Sequence, residues 1–328
     1  MRPSSNEPEQ NAAPEFSHIP VLLNACIEGL QINPCGTYAD CTLGGGGHSE
    51  EIVRRLTPPG RLLAIDQDIC ALRAAKERLK PYEGRILYKH ANFSDITALL
   101  AAENIPALDG ALIDLGVSSY QLDRPERGFS YRFDAPLDMR MDQRAEFDAA
   151  TLVNTYSFSA LCRVLRDYGE EKFAAQIASK IVSHRESKPI ETTFELVDII
   201  KEAIPVKART GGGHPAKRTF QALRIEVNRE LDVIQPTLTA LIDALAPGGR
   251  LCVITFHSLE DRIVKQTFQQ AARGCTCPRD FPVCVCGGKP KIKIVTRKPI
   301  EADEAERLQN NRAHSAKLRI AQKLPDPG

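Results

Sequence analysis

Tyr38-Ala39-Asp40-Cys41-Thr42-Leu43-Gly44-Gly45-Gly46-Gly47-His48 decides the fold. An apolar stretch runs into four consecutive glycines, and a helix-like segment from His48 to Leu56 follows. Strand, tight turn and helix N-terminus in that order form a cradle for a nucleotide-like ligand. Glycine reaches backbone angles closed to other residues and puts no side chain between ligand and main chain. The helix start behind it presents N–H groups that have no intrahelical partner.

Working outward, Arg61-Leu62-Leu63-Ala64-Ile65-Asp66 reads as a short buried strand that ends in a carboxylate. Asp66 follows Gly44 by 22 residues, and an acid about 20 residues after a glycine turn accepts hydrogen bonds from ribose hydroxyls. The G-x-G-x-x-G pattern fits at Gly44 and Gly46 but meets Ser49 at its third position, and no G-K-[ST] follows, which excludes a P-loop. The combination favours a nucleoside-bearing cofactor over a flexible turn beside a solvated aspartate.

Further strand-like runs lie at Arg85–Lys89 and Gly110–Leu115, with helix-like runs at Val21–Leu30, His48–Leu56, Ile69–Lys80 and Ile96–Asn104. Strands alternating with helices predict an α/β fold with a mostly parallel sheet, helices on both faces, and ligands beyond the carboxyl ends of the strands. After Asp114 the alternation stops. From Asp123 to Gly213 the sequence is charged and helical, with amphipathic stretches at Glu170–His184 and Thr193–Ala203. His214-Pro215 then opens a long helix whose apolar stripe is Phe220, Leu223, Val227, Leu231 and Ile234. Strand character resumes at Arg250–Phe256, after Ala246-Pro247-Gly248-Gly249. The expected organisation is a leader over 1–17, a discontinuous α/β domain over 18–122 and 214–328, and a helical insertion over 123–213.

With 328 residues, 42% hydrophobic and 26% charged, the chain has enough apolar sequence for a sizeable core. A net charge of +1 excludes a polycation, yet residues 261–328 hold 14 Lys and Arg against 7 Asp and Glu. A basic face on a neutral protein can grip phosphates. The polar first 17 residues lack the apolar core of a signal peptide, and no apolar run approaches membrane-spanning length. Ten cysteines without a secretory signal predict reduced thiols and a cytoplasmic protein. Cys275-x-Cys277 and Cys284-x-Cys286 are spaced more tightly than usual zinc pairs, so no metal is assigned.

Asp114 ends the fourth strand in Leu112-Ile113-Asp114-Leu115-Gly116-Val117-Ser118-Ser119. A carboxylate there faces the reactive end of a cofactor and can accept a proton or orient an amine. Phe93, after the third strand, offers a flat ring for an adenine. His48 closes the glycine run. His257, Ser258 and Arg262 follow the last strand and are expected over the same rim. Lys207, Arg209, Lys217, Arg218, Arg224 and Arg229 crowd the return from the insertion, as a phosphate track or a solvated helix face.

Several ordered strings resemble the bacterial RsmH (MraW) family of S-adenosylmethionine-dependent methyltransferases of small-subunit ribosomal RNA. They include His18-Ile19-Pro20-Val21-Leu22-Leu23, Gly46-Gly47-His48, Asp114-Leu115-Gly116-Val117-Ser118-Ser119 with Gln121-Leu122-Asp123, and Arg127-Gly128-Phe129-Ser130. Pro136-Leu137-Asp138-Met139-Arg140-Met141, His214-Pro215-Ala216-Lys217-Arg218-Thr219-Phe220, Phe256-His257-Ser258-Leu259-Glu260-Asp261-Arg262 and Ser315-Ala316-Lys317-Leu318-Arg319 continue the likeness. Asn310-Asn311-Arg312-Ala313-His314-Ser315 departs from the family's Asn-Pro-Arg-Ser-Arg-Ser-like tail. The resemblance implies a class I methyltransferase sheet and methylation of N4 of a cytosine in the decoding centre (P site) of 16S rRNA within the small ribosomal subunit, by a monomer or homodimer. It implies cofactor contacts at Gly46, Gly47, His48, Asp66, Phe93, Asp114 and Gln121. Exocyclic amine chemistry then makes Asp114 the first choice of proton acceptor and Ser118 the second, with Phe129 or Tyr131 to stack on the cytosine. A nucleoside-cofactor oxidoreductase and a non-catalytic RNA-binding protein are the rival readings.

Overall fold

Eight strands form one sheet in the order β3-β2-β1-β4-β5-β8-β6, with β7 pairing β8. This comes from a computed structural model that describes residues 20–209, 213–274, 277, 283 and 286–325. The expected leader lies outside the described residues, as do Cys275 and Cys284. Strands β1 (Thr37–Asp40), β2 (Arg61–Asp66), β3 (Ile86–His90), β4 (Leu108–Asp114) and β5 (Leu245–Thr255) run parallel. Strand β8 (Lys317–Lys323) runs antiparallel beside β5 and carries β6 (Ile292–Ile294) and β7 (Ile300–Glu301). The order reverses between β1 and β4, which opens a crevice above their carboxyl ends.

The central strands are nearly continuous apolar runs because both of their faces are covered. Along β2, Leu62 and Ala64 join one core cluster while Leu63 and Ile65 join the other. Along β4 and β5, Leu112, Cys252 and Ile254 share the first face, and Ala111, Ile113, Leu251 and Val253 the second. Helices α1 (Leu23–Leu30), α2 (Gly47–Arg54) and α3 (Ile69–Leu79) cover the first face. Helix α4 (Ile96–Ala102) covers the second, with two later helices described below.

Between β4 and β5 the chain leaves the sheet. A short helix, α5 (Ser119–Leu122), is followed by α6 (Ala149–Thr155), α7 (Phe158–Asp167), α8 (Ala174–Arg185) and α9 (Thr193–Ala203). These helices pack on α10 (Lys217–Asn228) around their own core, which includes Leu152, Leu165, Ile177, Ile181, Leu196 and Phe220.

The single long helix expected after His214 is two helices. Arg229 takes a left-handed φ of 51° and ends α10, and α11 (Ile234–Ala244) begins after a short turn. Pro236 sits in the first turn of α11, where a missing N–H costs nothing, but it would break a helix continuing from α10. The apolar stripe therefore serves two cores. Phe220 and Leu223 pack in the insertion, while Ile234 packs under the sheet. The fifth strand begins at Leu245 rather than Arg250, with its register to β4 shifting between Leu108 and Gly110. Helix α12 (Ser258–Arg273) follows β5, and α13 (Glu304–Gln309) precedes β8. Strand β8 was not expected; Leu318 and Ile320 face one core while Arg319 is buried on the other side against Asp261 with bonds of 2.6 and 2.9 Å.

Candidate active site

The glycine turn is held by Asp66. Its Oδ2 accepts from the Gly44 N–H at 2.8 Å and its Oδ1 from the Asp68 N–H at 2.8 Å. Gly46 has a φ of 77°, a conformation that L side chains rarely adopt, and lies against Ala75 and Leu79 of α3. Gly47 approaches Pro20 so closely that a Cβ would sit 2.2 Å from Pro20 Cγ. Gly45 faces open space, with nothing within 4 Å of a Cβ placed there. Below the turn, Asp40 accepts from the Ser49 hydroxyl at 2.6 Å and from the Thr42 N–H at 3.1 Å, tying β1 to α2.

A continuous cavity of about 1490 Å³ opens above the strand ends. Its wall includes Gly44, Gly45, Gly47, Asp66, Gln67 and Phe93 around the glycine turn, Lys217, Gln221 and Arg224 of α10, and His257, Arg312, His48 and Asp114. Small-molecule sites commonly occupy about 300–1,000 Å³, so this space admits two ligands side by side. Of the sequence-derived cofactor set, Gly46 alone is absent from the wall, because its backbone turns it toward α3. Gly45 takes the exposed place instead.

His48 is buried, with Nε2 3.0 Å from the Val21 carbonyl. A carbonyl only accepts, so Nε2 carries the proton and Nδ1 is left as a bare acceptor 3.9 Å from Asp114 Oδ2. Burial pushes the His48 pKa down to about 4, so the ring is neutral near pH 7. Asp114 keeps 28% of its side chain open to the cavity, while its Oδ1 is buried with no hydrogen-bond partner. Burial, with the charges of Asp40 and Glu260, raises its pKa to about 8, and Arg312 opposes the rise. Burial likewise raises Asp66 to about 7 against the two backbone N–H bonds it accepts. Desolvated carboxyl groups such as these are relieved by further hydroxyl and amine donors.

Ser118 and Gln121 form a bracket. The Ser118 N–H donates to Gln121 Oε1 at 3.0 Å, and the Gln121 N–H to Ser118 Oγ at 3.3 Å. Gln121 Nε2 donates to Asp68 at 3.0 Å, and Arg127 reaches the same Asp68 oxygen at 2.7 Å in a buried ion pair. Sequence reasoning missed Asp68 and Arg127; only their pairing across 59 positions makes them site residues. Phe129 packs in the insertion core and also lines the cavity. Tyr131 lines the cavity but stacks on His214 at 4.3 Å, with an edge contact to Phe220.

The residues after β5 divide. His257 caps α12 together with Glu260, and both line the cavity, whereas Ser258 donates to Glu170 at 3.4 Å and Arg262 lies off the wall. The basic return is mostly structural. Arg209 bonds the Ile204 carbonyl, Arg218 the Glu170 carbonyl and Arg224 the Glu230 carboxylate. Lys217 and Arg224 reach the cavity wall. Among the described residues, no three His, Cys, Asp or Glu side chains converge to hold a metal. Among the same residues, no helix is long and apolar enough to cross a membrane.

The model of the MraW methylase family matches residues 15–324. A ribosomal RNA small subunit methyltransferase H of Lachnospira eligens is 56% identical over 310 residues, covering 94% of this chain and 98% of that protein. Its namesake in Clostridioides difficile is 54% identical over 94% of this chain and 100% of its own length. That of Symbiobacterium thermophilum is 55% identical over 94% of this chain and 97% of its own.

Proposed function

Because the chain belongs to the MraW methylase family, we propose that it methylates N4 of a cytosine in the decoding centre (P site) of 16S rRNA, in the cytoplasm. S-adenosylmethionine is the methyl donor. The observation that carries the reading is one cavity whose wall holds both a nucleoside cradle and the partly open Asp114 side chain.

The cradle fits the donor. Gly45 leaves the turn open to a ligand, Asp66 offers carboxylate oxygens to ribose hydroxyls, and Phe93 lines the wall where adenine would stack. Gln121 lies on the wall with one N–H on Asp68 and its oxygen accepting the Ser118 N–H, which leaves its second N–H for the donor. Gly46 acts through the turn it makes. When bound, the donor supplies an electrophilic methyl carbon on a sulfonium.

The rest is the work of this chain. The N4 lone pair is delocalised into the cytosine ring, so the amine is a poor nucleophile until its hydrogens are drawn to acceptors. The Asp114 carboxyl group, 28% open to the cavity, is such an acceptor, and the bare Nδ1 of neutral His48 lies beside its Oδ2. Ser118 Oγ already accepts the Gln121 N–H, which makes it the weaker acceptor. Fixing amine and methyl carbon in line supplies the remaining rate through orientation. The cytosine must leave its stack to enter, and the cavity beyond Asp114 has room for it.

The test is incubation of the protein with labelled donor and small subunits lacking the modification. Label is expected in 16S rRNA, at a cytosine N4 in the decoding centre. Label on another base or atom refutes the site assignment, and no label in RNA refutes the reading. RNA retention without turnover would point instead to a binding protein.

A further inference from the structure

Arg312 reaches the cavity from far along the chain. It sits in a single 3-10 turn, Asn311–Ser315, whose start is capped by the Asn310 side chain accepting the Arg312 N–H at 3.1 Å. The turn is anchored. Ala313 and Ala316 are buried in the core with α1, and nearby Glu306 accepts the Leu22 N–H at 2.6 Å. The side chain therefore projects from a fixed base, unlike an arginine on a free tail.

The guanidinium is poorly satisfied for its burial. Its side chain is 29% exposed, and among the described residues its ion pair is to Asp123 Oδ2 at 3.6 Å, beyond hydrogen-bond range. A guanidinium carries five N–H donors in a planar fork. In the free protein water reaches these donors, and a ligand that displaces that water must supply acceptors of its own. Asn310 and Ser315 of the same turn also line the cavity. Arg312 shares the cavity wall with Asp114, and the two interact electrostatically.

We propose that Arg312 binds a phosphate of the target nucleotide when its base enters the cavity. The inference rests on the RNA-methylating reading above. A flipped nucleotide brings its own phosphodiester to the pocket rim while N4 points inward to Asp114. A phosphate matches the guanidinium fork and replaces the long Asp123 contact with short, charge-assisted bonds. Arg312 thus ties substrate recognition to a residue nearly 200 positions after Asp114.

The experiment uses the full chain, undermethylated small subunits and labelled donor, with Arg312→Gln and Arg312→Lys. For Arg312→Gln, retention of subunits is expected to weaken about 10- to 100-fold, the scale of a lost charged hydrogen bond. The slope of log affinity against log salt should fall by about 0.7 to 0.9, one phosphate contact. Arg312→Lys should recover most of the salt slope but less of the affinity. Donor affinity, read by calorimetry, should stay unchanged and certifies the fold. An unaltered salt slope in Arg312→Gln overturns the proposal, as does a loss confined to donor binding or to the pH profile of turnover. If the parent retains subunits but labels no RNA, the methylating reading fails while the salt-slope comparison still decides the phosphate contact.

Discussion

The two ends of the cavity are built by opposite means. At the cradle, Asp40, the four glycines, His48 and Asp66 come from 27 consecutive residues, and backbone N–H groups already satisfy Asp40 and Asp66. Elsewhere on the wall, Asp114, Lys217 and Arg224 of α10, His257 and Arg312 come from four separate parts of the chain, and Asp114 Oδ1 has no partner. One end is finished before ligand arrives; the other keeps charge in reserve. The difference suits a donor that always has the same shape and an acceptor that must be desolvated, turned and held for reaction.

The sharpest way to break this contrast is Asp114→Ala. Turnover is expected to fall by at least about 10³-fold, within the range for removing a general base or a preorganised acceptor, with donor affinity changed little. Single-turnover assays with calorimetry on the same samples check it, and near-normal turnover removes Asp114 from the chemistry. The converse substitution, Asp66→Ala, should weaken donor binding about 10- to 100-fold and leave subunit retention alone. Unchanged donor affinity would show that the cradle does not read the ribose. A third prediction concerns stability. Asp114, Asp66 and Asp40 have folded pKa values raised to about 8, 7 and 6 from an ordinary 3.8. The fold holds protons that the unfolded chain releases, so the ligand-free protein should lose stability as pH rises from about 4 to 8. Asp114→Asn, which cannot ionise, should flatten the upper part of that loss. Urea titrations at pH 5 and 8 would test this; equal slopes for parent and variant contradict the assigned burial of Asp114.

Much of this was readable from the chain because it is local. The run Leu62–Ile65 is apolar throughout since both faces of β2 are covered, and its bounds, Arg61–Asp66, are those expected. Thr193–Ala203 was equally legible, with Thr192 and Glu195 closing a capping box at its start. Legibility failed where one residue served a partner distant in sequence. Val227 and Leu231 continue a helical stripe that the Arg229 conformation interrupts. Strand β8 carries a charged residue, Arg319, whose place inside the protein depends on Asp261, 58 positions away.

The sequence alone determined the alternating strands and helices, the glycine turn with its spaced acid, and Asp114 at a strand end, since each follows from propensity and spacing within a few tens of residues. Only the tertiary structure decided that Gly45 rather than Gly46 faces the cavity, that His48 is neutral, that Arg127 and Gln121 converge on Asp68, and that Arg312 returns to the site. The physical reason is that desolvation and ion pairing depend on neighbours in space, and a chain position carries no record of them until the sheet and its helical insertion have closed around it.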